Sequence, residues 1–288
     1  MTTGRIRRSG SVSAVDPREV LSRHAEGPDV ILRYADHPDG LIDVFLPATF
    51  GRPKQARPLV MVVHGGFWRQ QYDRIHVRPL ANALAQHGLV VAVPEYRRVG
   101  GLGGWPETAY DVETALAATL YMVNAVAPGQ LDPSSPPTVV GHSAGGHLAM
   151  WASLRAGPQH VASVVALAPV SDLRHAAAAG VGGNATADLL GGGPDDVPDR
   201  YAEADTARML PGDVPVTIIQ GAEDRQVPAE MNRRLAASHP EIAYVELDGV
   251  DHFALIDPLS AAFRNHVLGR LPAPPPDTKQ GPHQPAEG

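Results

Sequence analysis

Thr138-Val139-Val140-Gly141-His142-Ser143-Ala144-Gly145-Gly146-His147-Leu148-Ala149-Met150-Trp151 decides the fold of this 288-residue chain. A short β-branched run ends at Gly141, and a helix-forming run begins by His147. Between them a serine stands with glycine two residues before it and two after it. Where a strand turns sharply into a helix, the corner residue is strained, and its neighbours at two removes must be small because strand and helix touch there. The strain lifts the Ser143 oxygen above the sheet. The backbone N–H of Ala144, at the start of the helix, then points at whatever reacts with that oxygen. Ser143 is the candidate nucleophile.

Upstream, Pro58 to Val63 reads as a short buried strand that runs into His64-Gly65-Gly66-Phe67-Trp68. Glycines let the chain pass close to a ligand and take positive φ. Gly65, Gly66 and Phe67 are therefore candidates for an oxyanion loop facing Ala144, with the amide of Gly66 or Phe67 as donor. His64 reads as an orienting residue of that loop, not a proton shuttle.

A serine nucleophile needs a base and an acid, which follow it in the order acid then histidine on a sheet of this kind. Val214 to Gln220 is strand-like and leads into Gly221-Ala222-Glu223-Asp224-Arg225. Asp224 thus falls just past a strand's C-terminal end, where open α/β sheets keep their sites. Another strand, Tyr244 to Leu247, is followed by Asp248-Gly249-Val250-Asp251-His252-Phe253. His252 is the candidate base and Asp224 the candidate acid. Glu223, Asp248 and Asp251 are the alternative carboxylates. His24, His37, His239, His266 and His283 lie in helices or in segments with no matching strand end.

Taken together these residues resemble the α/β-hydrolase superfamily from about residue 30 to 270. Within it the likeness is to the kynurenine formamidase (arylformamidase) and small-esterase group. That group carries His-Gly-Gly followed by two aromatics, here His64 to Trp68, and a Gly-His-Ser-Ala-Gly elbow, here Gly141 to Gly145. Glu95-Tyr96-Arg97-Arg98, Gly104-Trp105-Pro106 and Asp111-Val112 look like the same group. Hormone-sensitive-lipase-type esterases have a third glycine where Phe67 stands and usually Asp where His142 stands. The resemblance implies roles for Ser143, Asp224, His252 and the loop Gly65 to Phe67. It implies an α/β-hydrolase fold, a mostly parallel twisted sheet of about eight strands with helices on both faces.

Composition fits one globular enzyme: 43% hydrophobic and 19% charged residues, with no cysteine. The lack of cysteine excludes disulfides and thiolate metal sites, and it suits a cytoplasmic protein. A formal charge of −7 argues against nucleic acid or an anionic membrane as partner. There is no His-Glu-x-x-His and no dinucleotide fingerprint, so neither metal nor cofactor is expected. The expected partner is a small-molecule acyl substrate, with a homodimer left open. Residues 1–28 are read as a flexible leader, 29–271 as a single domain, and the Pro-rich tail 272–288 as disordered. Residues 173–211, small and Gly-rich, break the strand–helix rhythm. In the superfamily an insertion there forms a cap, read here as a mobile lid with room for a ligand, the alternative being an ordinary surface connection with two short helices.

The chemistry that follows is two-step acyl transfer on Ser143, with Phe67, Trp68 and Trp105 as an aromatic wall for the leaving group. The resemblance points first to release of formate from N-formylkynurenine. Carboxylesterase action on small acyl esters is the alternative, and a non-catalytic binding protein on the same fold is the remote one.

Overall fold

The computed structural model describes residues 16–47 and 56–274. Its strands are β1 (Val30–Arg33), β2 (Leu41–Phe45), β3 (Leu59–Val63), β4 (Val90–Pro94), β5 (Thr138–His142), β6 (Ser163–Leu167), β7 (Val216–Gly221) and β8 (Ala243–Leu247). They form one eight-stranded sheet in the order β1-β2-β4-β3-β5-β6-β7-β8. The first three in that order pair antiparallel, and the rest are parallel. This is the expected α/β-hydrolase architecture.

The parallel strands read as unbroken apolar runs because both of their faces are covered. In β3, Leu59, Met61 and Val63 enter one core while Val60 and Val62 enter another. β6 divides in the same way, Val164 and Ala166 against Val165 and Leu167. Period-two alternation thus feeds two cores. α1 (Arg78–Gln86) packs on one face with the segment 262–267, while α2 (Glu107–Val126) and α3 (Ala144–Ala156) pack on the other. Val112, Leu116 and Val123 of α2 are buried at helical spacing, and Leu120 is partly covered. The first ten residues of α3 are buried without exception, since sheet and neighbouring elements enclose that helix.

Between β6 and β7 lie α4 (Leu173–Ala178), α5 (Ala185–Leu190) and α6 (Pro198–Ala204), ahead of α7 (Ala229–Ser238). The insertion holds more bulk than its composition suggested. Leu173, Leu189, Leu190 and Tyr201 are buried and continuous with the core around Trp68, Trp105 and Trp151. The described part of the N-terminal leader is also packed down: Pro17–Leu21 forms a 3-10 turn whose Val20 is buried. The rest of the leader (1–15) and most of the Pro-rich tail (275–288) lie outside the described residues.

Candidate active site

Ser143 stands between β5 and α3 at φ 57° and ψ −122°, a region closed to most side chains. Its backbone supports the strain: its N–H donates to Leu167 O at 2.9 Å, and its carbonyl accepts from Gly146 and His147. The flanking glycines are required by contact. A Cβ on Gly141 would lie 2.3 Å from Gly145 O, and one on Gly145 would lie 2.2 Å from His64 O. The strand, the helix and the loop after β3 all meet at this corner.

That loop is held in an unusual conformation, with φ 112° at Gly66, 54° at Phe67 and 57° at Trp68. Trp68 fixes it by burying its side chain edge-on to His147, with 5.4 Å between ring centroids. Trp68 O accepts from Val99 N–H at 2.8 Å, and Gly66 O accepts from Arg69 N–H at 3.0 Å. Phe67 is turned the other way and lines a cavity with Ser143. The amides of Gly66, Phe67 and Ala144 find no acceptor among the described residues. They remain available to a ligand.

Beneath the loop, His64 is fully buried. Its Nε2 faces Glu95 Oε1 at 2.8 Å, and its ring stacks on Tyr96 at 4.3 Å. Tyr96 OH donates to His64 O at 2.7 Å. Burial would raise the Glu95 carboxyl, but His64, Arg98 and the Arg74 backbone N–H bring it down to about 2. A buried charge held by that many partners is a rigid support.

Asp224 and His252 meet as the strand ends dictate. Asp224 Oδ2 accepts from His252 Nδ1 at 2.6 Å and from Gln220 Nε2 at 3.1 Å. Its Oδ1 accepts from the backbone N–H groups of Gln226 and Val227, both at 2.8 Å. Since Nδ1 donates to a carboxylate, the proton-free nitrogen of a neutral His252 is Nε2. His142 braces this imidazole from the side, donating from Nε2 to His252 O at 3.0 Å with 4.4 Å between ring centroids. Burial, and next the adjacent His252, hold His142 well below the usual histidine range.

Ser143 and His252 share a cavity of about 140 Å³ whose walls include Gly66, Phe67, Tyr72, His76 and Phe253. Burial first and His64 second push the His76 imidazole down to about 3. A shallower recess of about 400 Å³ adjoins it across Gln226, His252 and Phe253.

The expected wall tryptophans are not there. Trp68 is spent anchoring the loop. Trp105 packs edge-on against Trp151 at 5.2 Å and donates to Glu203 at 3.2 Å. Tyr72 and Phe253 stand in their place beside Phe67. The insertion after β6 contributes no residue to the cavity wall; it buttresses the outside of the loop. Gly182 lies so close to Phe67 that a Cβ there would be 2.3 Å from its ring, and Arg69 pairs with Asp188 at 2.8 Å. Glu95 was detectable in the sequence, since it follows β4 at the same sheet edge. Nothing in the local pattern marks Tyr72, His76 or the N-terminal turn. Among the described residues no group of three or more His, Asp or Glu is placed to hold a metal ion, and no helix is long and apolar enough to cross a membrane.

The structure is similar to several solved ones. A truncated carbohydrate esterase from gut microbiota matches with TM-score 0.66 and 19% identity over 79% of this chain and 92% of that one. Thermogutta terrifontis esterase 2 matches with TM-score 0.63 and 18% identity over 84% and 92%. A putative thioesterase from Silicibacter sp. matches with TM-score 0.60 and 23% identity over 85% and 84%. No curated protein sequence matches. The BD-FAE family model matches residues 42–238, more than half of the chain and all of the elbow. The chain is an α/β-hydrolase and belongs to the BD-FAE family.

Proposed function

We propose that this protein is a serine esterase that hydrolyses small acyl esters, with Ser143 as nucleophile, His252 as general base and acid, and Asp224 as its orienting carboxylate. The observation that carries the reading is the strained Ser143 elbow sharing one small cavity with a His252 already held in its Nδ1–H tautomer by Asp224.

His252 Nε2 takes the proton from Ser143 Oγ as that oxygen attacks the carbonyl carbon. The oxyanion forms against the amides of Ala144 and of Gly66 or Phe67, each donor lowering the barrier by about 3 kcal/mol. Collapse expels the alcohol, which takes the proton from His252 and leaves an acyl ester on Ser143. Water, deprotonated by the same imidazole, then attacks that ester, and its collapse releases the acid as Ser143 Oγ takes the proton back from His252. A cavity of about 140 Å³ suits a short acyl chain. The structural neighbours, a carbohydrate esterase and an esterase, favour an ester over an amide.

Arylformamidase action is the second reading. It rests on the motif resemblance and on the aromatic side chains Phe67, Tyr72 and Phe253 in the cavity wall. Formyl is the smallest acyl group, and the same steps deliver it to Ser143 as an arylamine leaves. Turnover of p-nitrophenyl acetate against that of N-formylkynurenine separates the two readings. The shared chemistry is tested by Ser143→Ala, which is expected to abolish labelling by a fluorophosphonate and to cut turnover by about 10⁶-fold with the fold intact. Wild-type turnover in that variant overturns the assignment.

A further inference from the structure

One wall of the reactive cavity comes from the N-terminus. Arg18 and Leu21, on the turn Pro17–Leu21, line the space that holds Ser143 and His252, and Arg18 also lines the outer recess. The turn is well placed. The Asp16 carboxylate caps it by accepting from Arg18 N–H at 2.9 Å, and Val20 is only 1% exposed. Arg23 pairs with both oxygens of Asp257, Nη2 to Oδ2 at 3.2 Å.

The Arg18 guanidinium has no ion-pair or hydrogen-bond partner among the described residues. Five arginines between residues 69 and 98 behave otherwise: Arg69 pairs with Asp188, Arg74 and Arg78 with Asp43, Arg97 with Asp111, and Arg98 with Asp39 and Glu95. Among the described residues no carboxylate lines the inner cavity. Its other titratable side chains are Tyr72, His76, His142 and His252, and burial keeps His76 and His142 uncharged at neutral pH. Among the described residues the one fixed formal charge in that wall is Arg18, an exposed side chain on the turn.

A guanidinium is a rigid fork of donors that matches a carboxylate in charge and shape. We propose that Arg18 determines specificity, and that the natural substrate carries a carboxylate bound to Arg18 where the cavity opens into the recess, with its scissile carbonyl at Ser143. The proposal rests on the serine-hydrolase reading, to which it adds the substrate class. The recess sets Asp16, Glu223 and Asp251 against Arg225 and Arg18, and of these charges Arg18 alone also lines the inner cavity, so the matching charge lies at the inner edge.

The test separates the two claims. Paraoxon, a neutral phosphotriester, is expected to label wild type but not Ser143→Ala; failure here overturns the serine reading alone. Protection against that labelling is then compared for 3-hydroxybenzoate and 3-hydroxyacetophenone, a neutral ketone of the same shape that cannot be hydrolysed. The acid is expected to protect wild type at about tenfold lower concentration, the gain of one charge-assisted contact. Arg18→Gln should remove that preference and leave protection by the ketone unchanged, while Arg18→Lys keeps part of it. Hydrolysis of 3-acetoxybenzoate by Arg18→Gln should show a raised KM with kcat little altered. If wild type resists labelling, calorimetric titration with the same two ligands reads the same preference. Equal binding of acid and ketone by wild type, or an equal loss of both in Arg18→Gln, overturns the proposal.

Discussion

Asp224 has no spare lone pairs: one oxygen holds its own loop through Gln226 and Val227, and the other faces His252 and Gln220. In Asp224→Asn the amide oxygen retains the loop bonds, while the new NH₂ must face Nδ1 of His252 and the Gln220 NH₂. His252 then has to accept at Nδ1 and carry its proton on Nε2, pointing at Ser143. Turnover should fall by about 10⁴-fold with an unchanged circular dichroism spectrum. A loss below tenfold, with a severe one in Asp251→Asn, would move the acid to Asp251. Ser143, Asp224 and His252 were legible because each follows a strand, and strand ends converge on one sheet edge. Trp68 and Trp105 were misread for the opposite reason. Aromatic identity says nothing about direction: Trp68 is buried in the core, while the half-buried Phe67 lines the cavity with its ring against Gly182. Arg18 was illegible because a 3-10 turn of five residues has no period to read.

The elbow works as an element because three backbone segments touch at it. A Cβ on Gly145 would sit 2.2 Å from His64 O and 2.3 Å from Val63 O, so α3 or the loop after β3 must withdraw. Gly145→Ala is expected to lower stability by about 3 kcal/mol. It should also slow fluorophosphonate labelling, since the amides of Ala144 and Gly66 no longer converge. Gly269→Ala is the control, because nothing lies within 4 Å of a Cβ there. Equal urea midpoints for the two variants would show that the contact relaxes freely. The strands of this element were readable from apolar runs and the corner from its glycines. The insertion after β6 was not, since small residues in sequence suggest space. Here they let Leu189, Leu190 and Tyr201 close onto the core.

Across the whole molecule the two cores enclose more polar chemistry than the site consumes, and pH is how that becomes visible. His142 and His147 are 3% and 0% exposed. Burial brings His147 down to about 4 and His142 well below its ordinary value. A histidine depressed on folding contributes stability above its unfolded pKa, about 6.5, and loses it as pH falls, because the unfolded chain binds the proton first. Asp205 runs the other way: burial raises its carboxyl to about 6, so the folded state takes up its proton first and gains stability on acidification. Between pH 6 and 4.5 the two histidines outweigh the one carboxyl by about one proton, a net slope of about 1.4 kcal/mol per pH unit. His76, brought down to about 3 chiefly by burial, adds nearly one further proton in the same direction. Below pH 4.5 Glu95 steepens the fall, its carboxylate being held at about 2 by its partners. His147→Gln isolates one member: the amide can still donate to Ala204 O, which the imidazole does at 2.9 Å, yet it does not titrate. That variant should be less stable than wild type at pH 7.5, through imperfect packing against Trp68, but it should lose less on acidification. Urea midpoints at pH 7.5 and 5 give the comparison. Parallel loss in both proteins would mean that His147 is protonated in the folded state, and that the core around α3 admits a charge its packing should exclude.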